Sequence, residues 1–336
     1  GHSTVWLSQG VHPNWRQVAA TFAVGTGHRL VDVPLREGLT AWPEEGEAGV
    51  VVVQYPNYLG CLEDLAAARA VADRAGALLV VALDDGVTAF PAEGAPGAIV
   101  LQSPNYLGCL EDVAGAAALA RRLGAFLVVA ADPVSAGLLK PPGALGADVV
   151  VGEGQPFGAP LSFGGPYLGL FACRREHVRR LPGRLVGETV DTEGRRAYVT
   201  TLRTREQDIR REKASSNVCT NQTLMAVAFL VHLSWLGTAG LRELALRCAR
   251  GTRYCREAVL SVDGVEPLAG APVLREFAVR TPVPPEVVVD RMADEGFLAG
   301  VALGDEYDGG LLVAVTEKRT RAELDAYAAA LEKVVR

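Results

Sequence analysis

Lysine is scarce in this sequence. Lys140, Lys213, Lys318 and Lys333 stand against twenty-nine arginines, so chemistry that needs a Schiff-base amine has four candidates. Basic charge is in deficit overall: 33 Lys and Arg face 39 Asp and Glu, for a net charge of −6 and a pI near 5.5. That balance argues against general nucleic-acid binding, which requires a basic surface or a long basic stripe to neutralise phosphates. Paired cysteines are missing too. Cys61, Cys109, Cys173, Cys219, Cys248 and Cys255 form no C-x-x-C spacing and follow no secretory leader, so they read as free thiols of a cytoplasmic protein. The five histidines, His2, His12, His28, His177 and His232, show no zinc-ligand spacing. No apolar run reaches the length of a membrane span; the longest, residues 225–236, is interrupted by His232 and Ser234 and reads as a buried helix. The chain opens at Gly1 without methionine, as a fragment or a processed start would. What is present, 336 residues with 49% hydrophobic and 21% charged content, fits a globular enzyme or enzyme subunit of at most two domains.

Short β-rich runs at 50–53, 78–81, 99–101, 126–131, 149–151 and 168–171 alternate with alanine-rich stretches, a βα rhythm that implies a parallel sheet. Val113, Ala116, Ala117, Ala120 and Leu123 recur at three- and four-residue spacing, which gives one helix a buried face that ends at Gly124. The dominant feature is a tandem repeat. Residues 54–84 recur as 102–132 at an offset of 48, with 22 of 31 positions identical, including all of Pro-Asn-Tyr-Leu-Gly-Cys-Leu-Glu-Asp. One repetition is too short for a solenoid, so each copy is expected to supply a βα unit and the next strand. Adding a unit to a sheet with fixed neighbours predicts one peripheral or poorly packed copy.

Beyond Leu236 a largely helical connection over 239–262 leads to a strand at 276–280, a helix at 285–295, a strand at 311–316 and a last helix. That helix opens on Thr320-Arg321-Ala322-Glu323, a capping-box spacing. The expected division is a large domain over 1–236 and a connecting helix with a small α/β domain over 237–336.

Asp132 follows the apolar strand 126–131 and so stands at the carboxyl edge of a parallel sheet, where open α/β folds bind ligands. It could pair with a pyridinium nitrogen or simply cap a turn before Pro133. The glycine-rich stretch 152–166 permits close backbone approach to a ligand, or merely tight turns, and matches neither a Walker loop nor a dinucleotide fingerprint. His12 before Pro13 fits a ring contact or a turn. Arg203, Arg205, Arg210, Arg211 and Lys213, with five more arginines between 174 and 184, read as a solvated face or as a basic surface for a negatively charged partner. The polar run 215–221 supplies capping residues for the following helix.

Longer motifs then become recognisable: Ser8-Gln9-Gly10-Val11-His12-Pro13, Pro104-Asn105-Tyr106-Leu107-Gly108, Gly154-Gln155-Pro156, Leu161-Ser162-Phe163-Gly164-Gly165-Pro166-Tyr167, Leu181-Pro182-Gly183-Arg184-Leu185-Val186-Gly187-Glu188-Thr189, Ile209-Arg210-Arg211-Glu212-Lys213-Ala214, Ser216-Asn217-Val218-Cys219-Thr220 and Val315-Thr316-Glu317-Lys318-Arg319-Thr320. On these the chain resembles the P-proteins (glycine decarboxylases) of the glycine cleavage system, and within them subunit 1 (the α subunit) of the two-subunit form. The resemblance implies fold type I of the pyridoxal-phosphate-dependent transferases (aspartate-aminotransferase-like), here with a partial large domain carrying an extra βα unit. It also implies that the cofactor lysine belongs to the paralogous subunit 2, since Gln155 occupies the matching place, and that no catalytic residue can be named on this chain. Implied pocket residues are His12, Asn105, Asp132, Gln155, Ser216, Asn217 and Thr220; Arg205, Arg210 and Arg211 are partner-surface candidates. The implied cofactors are pyridoxal 5'-phosphate on the partner and the lipoyl group of H-protein as acceptor, in an α2β2 heteromer that decarboxylates glycine. Competing readings are a catalytically silent scaffold and a self-sufficient transferase using Lys140 or Lys213. The 48-residue repeat departs from the family pattern.

Overall fold

The computed structural model describes residues 3–55, 57, 61, 63–83, 97–162, 164–181, 183–214, 222–304, 307 and 309–336. The chain begins with β1 (Thr4–Ser8), α1 (Pro13–Thr26) and β2 (Arg29–Val33), followed by a short hairpin of β3 (Leu35–Arg36) and β4 (Leu39–Thr40). β5 (Val50–Gln54) leads into the first copy of the repeat, which goes on to α2 (Leu65–Ala75) and β6 (Leu78–Leu83); β7 (Ala98–Ser103) leads into the second, which goes on to α3 (Val113–Leu123) and β8 (Phe126–Ala131). A one-turn α4 (Pro142–Leu145), β9 (Val149–Glu153) and β10 (Gly169–Cys173) complete an eight-stranded sheet of order β10-β9-β8-β7-β6-β5-β1-β2. Every neighbouring pair is parallel except β9 and β10. The apolar run at 168–171 thus belongs to an antiparallel edge strand, because no described helix carries the chain back across the sheet between β9 and β10.

The expectation of a peripheral copy is overturned. Both copies lie inside the sheet with the same internal register: Val50 pairs with Leu78 in the first and Ala98 with Phe126 in the second, an offset of 28 residues in each. Their caps match as well. Asp64 accepts from the Ala67 N–H and Asp112 from the Gly115 N–H at the starts of α2 and α3, and Gly76 and Gly124 end those helices in the left-handed conformation that glycine adopts without a Cβ clash. One core holds both: Leu65, Ala68, Val71, Leu79 and Val81 from the first copy pack in the same cluster as Val113, Ala116, Leu119, Leu127 and Val129 from the second, with Val51, Val53, Ile99 and Leu101 from the strands that lead into them. Val-rich strands buried on a parallel sheet, with alanines where helix meets sheet, allow this close approach.

After β10 comes a hairpin of β11 (Leu185–Val190) and β12 (Arg196–Thr201), then a one-turn α5 (Gln207–Arg210) and the long α6 (Thr223–Leu260). Val186, Val190, Tyr198 and Val199 of the hairpin are all exposed. The C-terminal layer is a four-stranded sheet, β13 (Glu266–Pro267), β14 (Glu276–Arg280), β15 (Val301–Ala302) and β16 (Leu311–Ala314) in the order β13-β14-β16-β15, packed with α7 (Pro285–Asp294), α8 (Arg321–Val335) and the end of α6. Thr320 and Glu323 form the capping box at the start of α8.

The apolar stretch 225–236 is helical, but it is not the buried helix its composition suggests. Leu224, Leu230, Val231 and Trp235 are exposed, the first and last at 80%, while Phe229, Leu233 and Leu236 on the opposite side pack near Val134 and Phe157. By length and composition α6 could cross a membrane, yet Gly237, at φ 59° and ψ −175°, interrupts its helical backbone. The apolar piece before that break is about 21 Å long at about 1.5 Å per residue, short of the roughly 30 Å of a bilayer core.

Shared burial makes a direct prediction. Leu79 and Leu127, equivalent in the two copies, are both fully buried. Leu79→Ala and Leu127→Ala are each expected to lower the unfolding free energy by about 2–5 kcal/mol in urea titrations; a first-copy variant as stable as the parent would show that this copy lies outside the core.

Candidate functional site

The carboxyl ends of β7, β8 and β9 open into a cavity of about 460 Å³. Its walls include Asn105, Asp132 and Gln155, three of the residues singled out in the sequence, together with Tyr106, Glu153, Arg275 and Glu276. Gly108, at φ 80°, seats the Asn105 loop against the C-terminal layer; a Cβ there would lie 2.2 Å from the Glu276 carbonyl oxygen. The same loop donates from the Leu110 N–H to the Pro272 carbonyl (2.8 Å) and forms a bridge between Cys109 and Val273. The cavity is therefore walled by the parallel sheet and by β14.

Asn105 is buried and spans its own loop. Its amide nitrogen donates to Glu111 Oε1 (2.7 Å), and its oxygen accepts from the N–H groups of Leu107 (3.1 Å) and Cys109 (3.0 Å). Asp132 takes up the turn-capping one of its two sequence readings, and adds an ion pair that the sequence did not suggest. One carboxylate oxygen caps the 3-10 helix Pro133–Gly137 by accepting from the Val134 N–H (3.0 Å), and the other pairs with Arg275 Nε at 3.0 Å. Gln155 stands in the turn after β9, its N–H donating to Glu153 Oε1 (2.9 Å); the same oxygen accepts from the Leu168 N–H (2.8 Å). Buried Phe157 anchors this turn edge-on to Phe229, and Gly158 allows it to touch the α6 backbone at Ala228.

His12 caps α1, its Nδ1 accepting from the Asn14 N–H (3.1 Å), and its own N–H donates to buried Gln54 (2.9 Å). Its ring lies 6.2 Å from Tyr106 and 6.4 Å from Tyr307, so it meets the cavity through the Tyr106 ring and is not one of the lining residues. Ser216, Asn217 and Thr220 fall outside the described residues, as does the side chain of Arg205. Arg203 is tied to Asp208 (2.6 Å) and Arg210 donates to the Thr204 carbonyl (3.2 Å); Arg211 is exposed. Sequence reasoning missed Arg275 and Glu276. Their only signal was a charged pair at the start of a strand, and nothing local ties them to Asp132.

Three carboxyl groups, Asp132, Glu153 and Glu276, line the site against one guanidinium, Arg275. Arg275 balances Asp132, while burial pushes the Glu276 carboxyl up, with Arg275 opposing and Asp132 adding to the shift. No lysine lines the cavity among the described residues. Lys140 lines a neighbouring, mostly apolar cavity of about 570 Å³ that shares Ala131, Asp132, Pro133 and Gly152 with the first, in an exposed position before Pro141 and Pro142. Asp148, Glu176 and His177 bring possible ligand atoms within 4.8 Å of one another, but Asp148 already pairs with Arg174 (3.1 Å) and accepts from the Leu127 N–H (2.8 Å).

The profile of the glycine cleavage system P-protein family matches residues 85–331. The chain belongs to the glycine cleavage system P-protein family. It is 44% identical over 333 residues to the probable glycine dehydrogenase (decarboxylating) subunit 1 of Prosthecochloris aestuarii and 51% identical over 338 residues to that of Chlorobium limicola, which cover 97% and 98% of it. The chain spans 64% and 65% of the lengths of these relatives. Among solved structures it is similar to an inhibitor-bound glycine decarboxylase (P-protein), with a TM-score of 0.72 at 39% identity over 99% of this chain and 66% of that one. A sphingosine-1-phosphate lyase from Burkholderia pseudomallei (TM-score 0.56, 16% identity, 99% and 63% covered) and the cysteine desulfurase CsdA from Escherichia coli (0.53, 14%, 99% and 72%) share the fold alone. The fold is type I of the pyridoxal-phosphate-dependent enzymes, as the P-protein motifs imply.

Two tests follow from this P-protein site. Removing one partner strands the other charge in a shielded place, so Asp132→Asn and Arg275→Met are each expected to cost about 2 kcal/mol. The double variant should cost about as much as either single one, and simple additivity would show that the pair does not couple the two layers. A carboxyl whose folded pKa is raised stabilises below its unfolded pKa, and that contribution is lost as pH rises through the folded value. Glu276→Gln should therefore flatten the fall in melting temperature above pH 4; an unchanged slope would contradict the burial of this group.

Proposed function

We propose that this chain is the subunit of a glycine decarboxylase that lacks the pyridoxal-phosphate lysine, working with a paralogous subunit that carries it. The observation that carries the reading is the Asp132 cavity: Gln155 stands after β9, no amine lines the wall among the described residues, and the Asp132 carboxylate is already neutralised by Arg275. Glutamine cannot form an imine, and both Asp132 oxygens already hold partners, Val134 and Arg275, so this wall offers the cofactor no covalent anchor. The cofactor does not fit this cavity, and no chemical step is assigned to it here.

In this proposal decarboxylation takes place on the partner subunit, and the aminomethyl group passes to the lipoyl arm of H-protein in the cytoplasm. This chain contributes surfaces. The exposed apolar residues of the β11–β12 hairpin and of α6 before Gly237 suit a subunit interface, since a two-stranded hairpin alone is marginally stable in water. Arg205, Arg210 and Arg211 form a basic stretch on an acidic chain and suit an acidic partner such as H-protein. The Gly237 break supports a division into a large domain over 1–236 and a small one over 237–336.

Mixed with the lysine-bearing subunit of a related glycine decarboxylase and lipoylated H-protein, the chain should form a stable complex that exchanges carbon dioxide with glycine. Treated alone with pyridoxal phosphate and borohydride, it should retain no cofactor; covalent retention on Lys140 or Lys213 would overturn the reading. Arg210→Glu with Arg211→Glu should weaken H-protein binding roughly tenfold, an effect that shrinks as salt is raised. Unaltered binding would remove these arginines from the interface.

A further inference from the structure

The two copies of the repeat share their internal hydrogen bonds but not their neighbours. In the first loop the Asn57 N–H donates to the Cys61 carbonyl (2.9 Å), the Cys61 N–H donates to the Asn57 side-chain oxygen (3.0 Å), and the Asn57 amide nitrogen donates to Glu63 Oε1 (2.8 Å). In the second, Asn105, Cys109 and Glu111 repeat the same three bonds at 2.8, 3.0 and 2.7 Å.

The surroundings are divided between them. The first loop serves the N-terminal strands: Glu63 accepts from the N–H and hydroxyl of Thr40 (2.9 and 2.7 Å), Thr40 bonds Ser8 (2.6 Å), Asn57 donates to the Gly38 carbonyl (2.7 Å), and a Cβ on Gly10 would lie 2.9 Å from that of Asn57. The second loop serves the Asp132 cavity and the C-terminal layer, through Gly108 against Glu276 and Cys109 beside Val273. The family profile begins at residue 85, immediately after the first copy ends.

We propose that the 48-residue repeat is a register-preserving spacer that divides one site into two, holding the Ser8–Pro13 motif and His12 two strands farther from the Asn105 loop and Asp132 than a single copy would. Because the registers and caps of the copies coincide, a chain with one copy closes the same way: the strand pairs with β1 on one side and β8 on the other, and its single loop meets Gly10 and Thr40 together with Val273 and Glu276. With strands about 4.8 Å apart, β1 and α1 move roughly 10 Å towards β8. His12 then stands over the Asn105 loop itself, where at present it reaches only the Tyr106 ring. The consequence for activity rests on the decarboxylase reading above; the geometry does not.

Two excisions test this, one removing residues 54–101 and the other 85–132, so that each shortened chain keeps a different copy and the result does not hang on one junction. Spin labels are placed at exposed Gln17 on α1 and exposed Lys140 after β8, through an unnatural amino acid at each position. The label distance in both shortened chains should fall by roughly 10 Å from that in the full chain. An unchanged distance, or failure of both excisions to fold, overturns the proposal. With the lysine-bearing subunit and H-protein, glycine-dependent carbon dioxide exchange should rise at least tenfold in the shortened chains. A shortened distance with no exchange in any chain would leave the spacer standing and remove the decarboxylase reading; a shortened distance with exchange equal to that of the full chain would overturn the claim that the spacer divides the site.

Discussion

The structure depends on one constraint, the parallel backbone register that a strand–helix–strand unit repeats whenever its sequence repeats. Within each copy the two strands pair at the same offset, and the helix between them is closed by an aspartate at one end and a left-handed glycine at the other. A unit that satisfies its own hydrogen bonds offers the next strand the edge that it was itself offered. The extra unit therefore widens the sheet by two strands without breaking the ladder. Everything on either side keeps its local geometry, and what changes is the distance between the two sides.

That distance governs the site. The parallel sheet delivers Asn105, Asp132 and Gln155 to one edge because their strands are adjacent, and the C-terminal layer completes the wall because Gly108 lets two backbones meet. Two of its carboxylates already hold partners: Asp132 holds Arg275, and Glu153 holds two backbone N–H groups. Such a wall orients and packs. No lysine is among its described lining residues.

Much of this was legible in the sequence, for identifiable reasons. Valine runs at regular spacing announced the parallel strands, and Gly124 and the Thr320 capping box were visible because helix ends are satisfied locally. Asp132 at the end of its strand was legible for the same reason. The pairing of Asp132 with Arg275 was not, since it joins layers far apart in the chain and leaves no periodicity. Nor was the direction of β10, which depends on how the glycine-rich turn returns. The apolar helix beginning at Thr223 was read as buried because composition reports what a face could bury, whereas here half of that face looks outward. The repeat itself was plain, but its integration followed from register, which identity between copies does not reveal by inspection.

The central claim is that both copies belong to one continuous, equally stable sheet. Native-state hydrogen exchange resolved to single amides tests it most directly. The account predicts that Val80 and Val81 in β6 and Val100 and Leu101 in β7 exchange as slowly as Val128 and Val129 in β8, all by global unfolding. Exchange of the β5 and β6 amides orders of magnitude faster than that of β8 would show that the first copy opens by itself, and would contradict it.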